Sequence, residues 1–174
     1  MRITGGTLSG RTIACPPGVI RPAMDRMRES LFSILGPLDG LSFLDLFSGS
    51  GVIALEAVSR GASSVTAVER DTGKRLVLLK NLSIAPTPPT VVFAPAERFL
   101  KASRDRYDVV FADPPFDYRF KNDILKRIAP HVAPAGRVVL HYPSTDAIVT
   151  EVAGLVMVDE RKYGRSMARI FERS

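Results

Sequence analysis

Between positions 41 and 168 short apolar runs alternate with longer amphipathic ones, the rhythm of βαβ units whose parallel strands are buried on both faces. The pattern predicts strands at 42–47, 64–69, 90–94, 108–112, 137–141, 155–159 and 168–172, seven in all. Helices are predicted at 51–60, 72–84, 97–103 and 121–131. In the second of these, Leu76, Leu79 and Leu82 recur at helical spacing, as do Ile124, Ile128 and Val132 in the fourth, and both stripes read as core. Residues 85–90 contain three prolines, cannot continue a helix, and read as a surface connection. Ahead of the alternating region, residues 1–17 read as a small hairpin turning through Gly5, Gly6 and Gly10, and 24–35 as a helix. There is no internal repeat and no low-complexity tract. The expected fold class is α/β: a doubly wound, mostly parallel sheet of seven strands behind a short N-terminal hairpin and helix.

A chain of 174 residues suits a single domain with a core large enough to fold without staples. Cys15 is the only cysteine and His131 and His141 the only histidines, which excludes an internal disulfide and argues against a bound metal. No apolar run is long enough to span a bilayer, and the first residues lack the apolar stretch of a signal peptide, so a cytoplasmic protein is expected. The net charge of +6 is unevenly placed: residues 1–28 carry five arginines against Asp25, and 161–174 carry five basic residues against Glu172. Two basic ends around a mildly acidic middle suit a polyanion such as nucleic acid, although a solvated surface gives the same count.

The first chemical signal is Phe43-Leu-Asp-Leu-Phe-Ser-Gly-Ser-Gly51, an apolar strand running into a Gly-x-Gly turn that opens a helix. Glycine there lets backbone approach a ligand closely, and the helix start presents unpaired N–H groups. With Ala54 the turn also fits the dinucleotide fingerprint, and Glu69, at the end of the second predicted strand, stands where an acid meets ribose hydroxyls. Neither feature separates a nicotinamide cofactor from S-adenosylmethionine. Asp45 begins to do so, because a carboxylate inside the first strand needs a partner and a cationic amino group provides one where a pyrophosphate would be repelled. A carboxylate capping the turn's own N–H groups is the plainer alternative.

The strand Tyr107-Asp-Val-Val-Phe-Ala delivers Asp113-Pro114-Pro115-Phe116 at its carboxyl end, where ligands bind in open α/β sheets. Two prolines stiffen the corner, so the Asp113 carboxylate and the Pro114 carbonyl point in set directions. Such a pair suits the two hydrogens of an exocyclic –NH₂. Accepting both turns the nitrogen lone pair towards an electrophilic methyl and stabilises the charge that develops, while Phe116 stacks on the base. The base would have to leave its helix or come from a loop.

Asp113-Pro-Pro-Phe116 resembles the Asn/Asp-Pro-Pro-Tyr/Phe motif of amino-directed nucleic-acid methyltransferases. Together with Arg21-Pro-Ala-Met-Asp-Arg-Met-Arg-Glu-Ser-Leu-Phe32, Leu44-Asp-Leu-Phe-Ser-Gly-Ser-Gly51, Leu55-Glu-Ala-Val-Ser-Arg-Gly-Ala62 and Lys162-Tyr-Gly164, it makes the chain similar to bacterial RsmD-type 16S ribosomal RNA (guanine-N2) methyltransferases over nearly its whole length. The resemblance implies a Rossmann-like methyltransferase sheet and S-adenosylmethionine held by Asp45, Phe47, Gly49, Ser50, Gly51, Glu69, Arg70 and Ala96. It implies a catalytic loop of Asp113, Pro114, Pro115 and Phe116, and no metal. The substrate it implies is a guanine in small-subunit RNA, presented to a monomeric enzyme on a partly assembled subunit. Residues 1–36 would be a basic, RNA-facing extension and 37–174 the methyltransferase domain. Arg2, Arg11, Arg21, Arg26, Arg28, Lys162 and Arg165 would contact phosphates, with a structural Arg28–Glu29 pair as the alternative for Arg28. The chain departs from the family pattern at Ala23-Met24, usually Thr-Thr, and at Ala94-Pro95-Ala96, where an acid or amide often meets adenine.

Overall fold

The strand Ser42–Asp45 (β1) lies in the middle of the sheet, and its side chains divide the protein into two cores: Phe43 packs to one side and Leu44 to the other. Such two-sided burial is why the strand reads as an unbroken apolar run. In the computed structural model, which describes residues 1–17 and 24–174, β1 pairs in parallel with Ser64–Glu69 (β2) and with Tyr107–Ala112 (β4). Thr90–Phe93 (β3) extends the parallel part beyond β2, and Val132–Pro143 (β5) beyond β4. From β5 the sheet turns antiparallel through Ser166–Arg173 (β8), Leu155–Tyr163 (β7) and the two-residue Glu151–Val152 (β6). The sheet is therefore mixed and eight-stranded, in the order β3-β2-β1-β4-β5-β8-β7-β6. The expectation of seven strands missed β6, which at two residues is too short to carry an alternation pattern.

Helices Met24–Leu35 (α1), Val52–Ser59 (α2) and Arg75–Leu82 (α3) supply one core together with the N-terminal arm. Ala96–Ala102 (α4) and Lys121–Ile128 (α5) supply the other. The stripe Ile124, Ile128 and Val132 is fully buried as expected, but the stripe chosen on α3 is not: Leu76 is 82% and Leu79 41% exposed. Four leucines at 76, 78, 79 and 82 offer two possible inner edges to an eight-residue helix. Leu78 and Leu82 win because both lie against Gly51, where an added Cβ would come within 2.9 Å of each. None of the helices among the described residues is long and apolar enough to cross a membrane.

The arm forms the expected small hairpin, with Ile3 donating to the Arg11 carbonyl and Ile13 to the Met1 carbonyl about an Arg2–Thr12 bridge, and a buried polar hub holds it to the rest of the protein. Glu56 of α2 is fully buried, and its Oε1 accepts from the Thr4 backbone N–H and hydroxyl, both at 2.8 Å. The same carboxylate pairs with Arg28 at 3.3 Å and Arg60 at 3.2 Å. Arg28, also fully buried, donates to the Arg2 carbonyl and to Asp25, each at 2.6 Å. Burial thus removes Arg28 from the expected phosphate-contacting set. Its partners are Glu56 and Asp25 and not Glu29, which faces solvent.

Removing one member of such a hub strands the others without water. Glu56→Ala is expected to destabilise the protein by about 3 kcal/mol, read as a lowered urea midpoint, whereas Glu29→Ala at the exposed neighbouring position should leave the midpoint unchanged.

Candidate active site

Parallel pairing brings the carboxyl ends of three strands to one rim. Asp45 of β1 is in register with Ala67 of β2 and Phe111 of β4, and the Leu46 N–H donates to the Phe111 carbonyl at 2.9 Å. The glycine turn after β1 and the Asp113–Phe116 corner after β4 therefore open side by side, at the ligand-binding edge of the sheet.

Gly49 and Gly51 sit at φ +55° and +84°, and only glycine adopts this region without strain. Their surroundings differ. A Cβ on Gly51 would strike Leu78 and Leu82, so that residue lets α2 pack on α3, whereas a Cβ on Gly49 would meet nothing within 4 Å. The space beside Gly49 is open, and the Ser50 carbonyl next to it accepts from the Asn81 amide at 2.8 Å, fixing the loop's path. Glu69 is buried at the end of β2, its two oxygens accepting from the Gly49 N–H at 2.7 Å and the Asp71 N–H at 2.9 Å. Each oxygen retains a second lone pair for a ribose hydroxyl.

Asp45 is wholly buried. Its Oδ2 accepts from the Ser48 hydroxyl at 2.8 Å, while its Oδ1 has no hydrogen-bond partner among the described residues. Burial pushes this carboxyl up to about 7, against the Ser48 hydrogen bond and a weaker, longer contact from the Ala54 backbone N–H, and the nearby charges of Asp113 and Glu69 add to the push. A desolvated carboxyl with an unpaired oxygen, near two further carboxylates, has the chemistry to meet a cationic group.

Asp113 Oδ1 lies 2.8 Å from Nδ1 of His141, two residues before the end of β5. His141 Nε2 lies 2.8 Å from the Ser166 oxygen, and the Ser166 hydroxyl is 3.0 Å from the Tyr163 carbonyl. In the tautomer with Nδ1–H, the ring donates to Asp113 and its Nε2 is left to accept from the Ser166 hydroxyl. The edge of the Phe116 ring meets the His141 ring at a centroid distance of 5.5 Å. Lys121, at the first turn of α5 and only 3% exposed, donates to the carbonyls of Phe116 at 2.9 Å and Tyr118 at 2.5 Å and pairs with Asp146 at 2.7 Å. The prolines and this lysine together hold the corner, Pro114 inside and Pro115 outside. A crevice of about 160 Å³ opens beside it, walled by Phe116, His141, Tyr163, Arg165 and Ser166 over Met24 and Met27.

Of the other expected site residues, Phe47 is half-buried with its ring against Tyr118, Ala96 is buried at the start of α4, and Arg70 is exposed just past Glu69. Arg2, Arg11, Arg26, Lys162 and Arg165 are exposed, and Arg165 alone of these walls the crevice. Arg21 lies outside the described residues. Sequence reading missed His141, Ser166 and Lys121. His141 was visible as a polar residue ending a predicted strand, and Lys121 as a cation at a helix N-terminus, where the dipole disfavours it.

A parallel core ordered 3-2-1-4-5, a glycine turn after its central strand, an acid closing the next strand and an Asp-Pro-Pro-Phe corner beside them define a class I methyltransferase domain of the Rossmann-like kind. A family model described as "Conserved hypothetical protein 95" matches residues 1–172, and the chain belongs to that family. It is 41% identical over 120 residues to "Ribosomal RNA small subunit methyltransferase D" of Escherichia coli, a match covering 67% of this chain and 60% of that relative's length. It is 31% identical to "Putative rRNA methyltransferase YlbH" of Bacillus subtilis over 99% of both chains. Among solved structures, "Putative methyltransferase yhhF" of Escherichia coli superposes with a TM-score of 0.89 at 31% identity, over all of this chain and 98% of that one.

The unfolded chain ionises Asp45 near 3.8, whereas the fold keeps it protonated to about 7. Between those values the folded protein holds a proton that the unfolded chain has lost, so this group's contribution to stability falls as pH rises and levels off above about 7. Ligand-free wild type is expected to lose stability relative to Asp45→Asn across that window, at up to about 1.4 kcal/mol per pH unit. Parallel denaturation curves for the two proteins would reject the assignment.

Proposed function

We propose that this chain methylates the exocyclic N2 amine of a guanine in small-subunit ribosomal RNA, with S-adenosylmethionine as donor. The observation that carries the reading is the adjacency of two unlike halves on one rim. The orphaned carboxyl of Asp45 and the open Gly49 turn stand on β1, and the stiffened amine-accepting corner stands on the neighbouring β4. The names of the relatives point the same way, and the basic ends suit RNA.

The residues present fit the cofactor. Asp45 would meet its ammonium group, Gly49, Ser50 and Gly51 would let it approach the backbone, Glu69 would take ribose hydroxyls, and Phe47, Arg70 and Ala96 would border it. When bound, S-adenosylmethionine supplies an electrophilic sulfonium methyl group. The protein's task is to aim the nucleophile. Asp113 and the Pro114 carbonyl each accept one amine hydrogen, which orients the lone pair and stabilises positive charge growing on nitrogen. Phe116 stacks on the base, and Pro115 stiffens the turn. His141, backed by Ser166, fixes the Asp113 carboxylate, and Lys121 fixes the backbone that carries Phe116. Residues 1–36 serve as the RNA-facing extension of the methyltransferase domain at 37–174, with Arg2, Arg11, Arg21, Arg26, Lys162 and Arg165 on phosphates. A partly assembled small subunit is the expected presentation.

The reading is tested on small-subunit RNA and on DNA offered side by side with labelled donor, followed by nucleoside mass spectrometry. N2-methylguanine in the RNA is the expected product, and a methylated DNA base or no product rejects it. Asp113→Ala should lower methylation by roughly 100-fold or more while S-adenosylhomocysteine still raises the melting midpoint. Equal activity would remove Asp113 from the mechanism.

His141 acts through Asp113 and is a positioning residue. His141→Phe should lower kcat about tenfold, the worth of one hydrogen bond, with KM nearly unchanged. His141→Gln, which keeps an N–H donor, should recover part of the loss. A change confined to KM would assign the histidine to substrate binding instead.

A further inference from the structure

At the opposite end of the sheet, where α4 and α5 finish and β4 and β5 begin, lies a second cleft, larger than the one beside the catalytic corner, at about 430 Å³. Lys101, Arg104, Arg106 and Arg127 line it, with His131 and Pro130. The four cationic side chains are exposed, and none of them forms an ion pair among the described residues. No carboxylate lines the cleft, and Asp105, in the middle of the same loop, is not part of its wall. Lys101 and Arg127 stand near helix C-termini, where the dipole favours a cation. Arg104 and Arg106 lie beyond the end of α4, outside that influence.

The loop that carries them is fastened. His131, 7% exposed, lies beneath the loop with one ring nitrogen 2.9 Å from the Asp105 carbonyl and the other 2.9 Å from the Leu100 carbonyl, so that its N–H anchors it to one of the two while the ring packs against both. Four like charges held together by a rigid floor repel one another, and a bound anion would relieve that repulsion. Three of the four are guanidinium groups, whose planar forks match phosphate oxygens.

We infer that this cleft is a second RNA-contacting surface, which takes backbone phosphates of the substrate at a distance from the modified base. The inference rests on the RNA reading given above. Asp113 follows the last residue of β4 and Arg106 precedes its first, so the six-residue strand separates the two sites by roughly 20 Å. Only a substrate large enough to reach around the α4–α5 face engages both. A short oligonucleotide occupies the catalytic crevice alone.

The test measures RNA affinity against salt concentration for the intact protein. Small-subunit RNA and a guanine-containing hexanucleotide are compared, with wild type set beside Arg104→Ala/Arg106→Ala and the charge-matched Lys80→Ala/Lys126→Ala, which lies outside the cleft. For the large RNA, losing two phosphate contacts should make the log–log slope shallower by about 1.5. The control pair should keep the wild-type slope, and hexanucleotide binding and S-adenosylhomocysteine binding should not change. A wild-type slope in the Arg104/Arg106 variant, or an equal loss in the control, overturns the cleft while leaving the proposed function standing. If wild type binds neither RNA, the proposed function falls and the cleft with it.

Discussion

Three carboxylates on one rim repel one another, and the parallel register of β1, β2 and β4 forces them together. Asp45 and Glu69 end β1 and β2 and Asp113 directly follows β4, and the charges of the other two are part of what holds a proton on Asp45 to about 7. A fold that concentrated this much negative potential without use would be penalised for it. The structure relieves the strain unequally. Glu69 is satisfied by two backbone N–H groups and Asp113 by His141, while Asp45 keeps one oxygen unmet. The unmet group is the one buried deepest, and the demand for a cation is therefore made at β1 rather than at the corner after β4.

The N-terminal arm depends on a different buried charge. Glu56 sits in α2, whose first turn follows the glycine loop, and it gathers Thr4, Arg28 and Arg60 around one carboxylate. Since α2 is fixed to α3 by the contact of Gly51 with Leu78 and Leu82, the arm, α1 and the glycine turn share a single rigid support. The exposed arginines Arg2, Arg11 and Arg26 are presented from that support, in fixed relation to the crevice.

The parts of this architecture that were legible in the sequence are those with a local cause. β2 was predicted at its observed bounds, because its ends are set by the glycine-containing turn before it and the acid after it. The glycine turn and the Asp-Pro-Pro-Phe corner were each legible as a local motif closing an apolar run, whereas the adjacency of their two strands is given by the β1–β4 pairing. What was not legible depends on the choice between equivalent faces or on distant pairing. The inner edge of α3 was ambiguous among four leucines until Gly51 selected it. Arg28 looked like one more basic residue in a basic arm, and only Glu56, 28 positions away, makes it a core residue. The lower cleft stayed hidden for the same reason: Arg104 and Arg106 adjoin Arg127 through tertiary packing, within a stretch whose summed charge is negative.

The antiparallel return after β5 has a chemical consequence beyond closing the sheet. β8 lies against β5 with Ala168 opposite His141 and Ser166 opposite Pro143, and this register lets the Ser166 oxygen reach Nε2 of the ring. Ser166 is in turn oriented by the Tyr163 carbonyl at the hairpin between β7 and β8, while the Tyr163 hydroxyl meets Ser30 of α1 at 2.7 Å. One chain of polar contacts therefore runs from Ser166 through His141 to Asp113, and the hairpin at its origin is tied to the N-terminal helix. That hairpin also bears Lys162 and Arg165, and Arg165 walls the crevice. Anything that docks on the hairpin presses on the element that sets the direction of the Asp113 carboxylate. The hairpin that carries the exposed cations Lys162 and Arg165 and the histidine that holds Asp113 thus share a support.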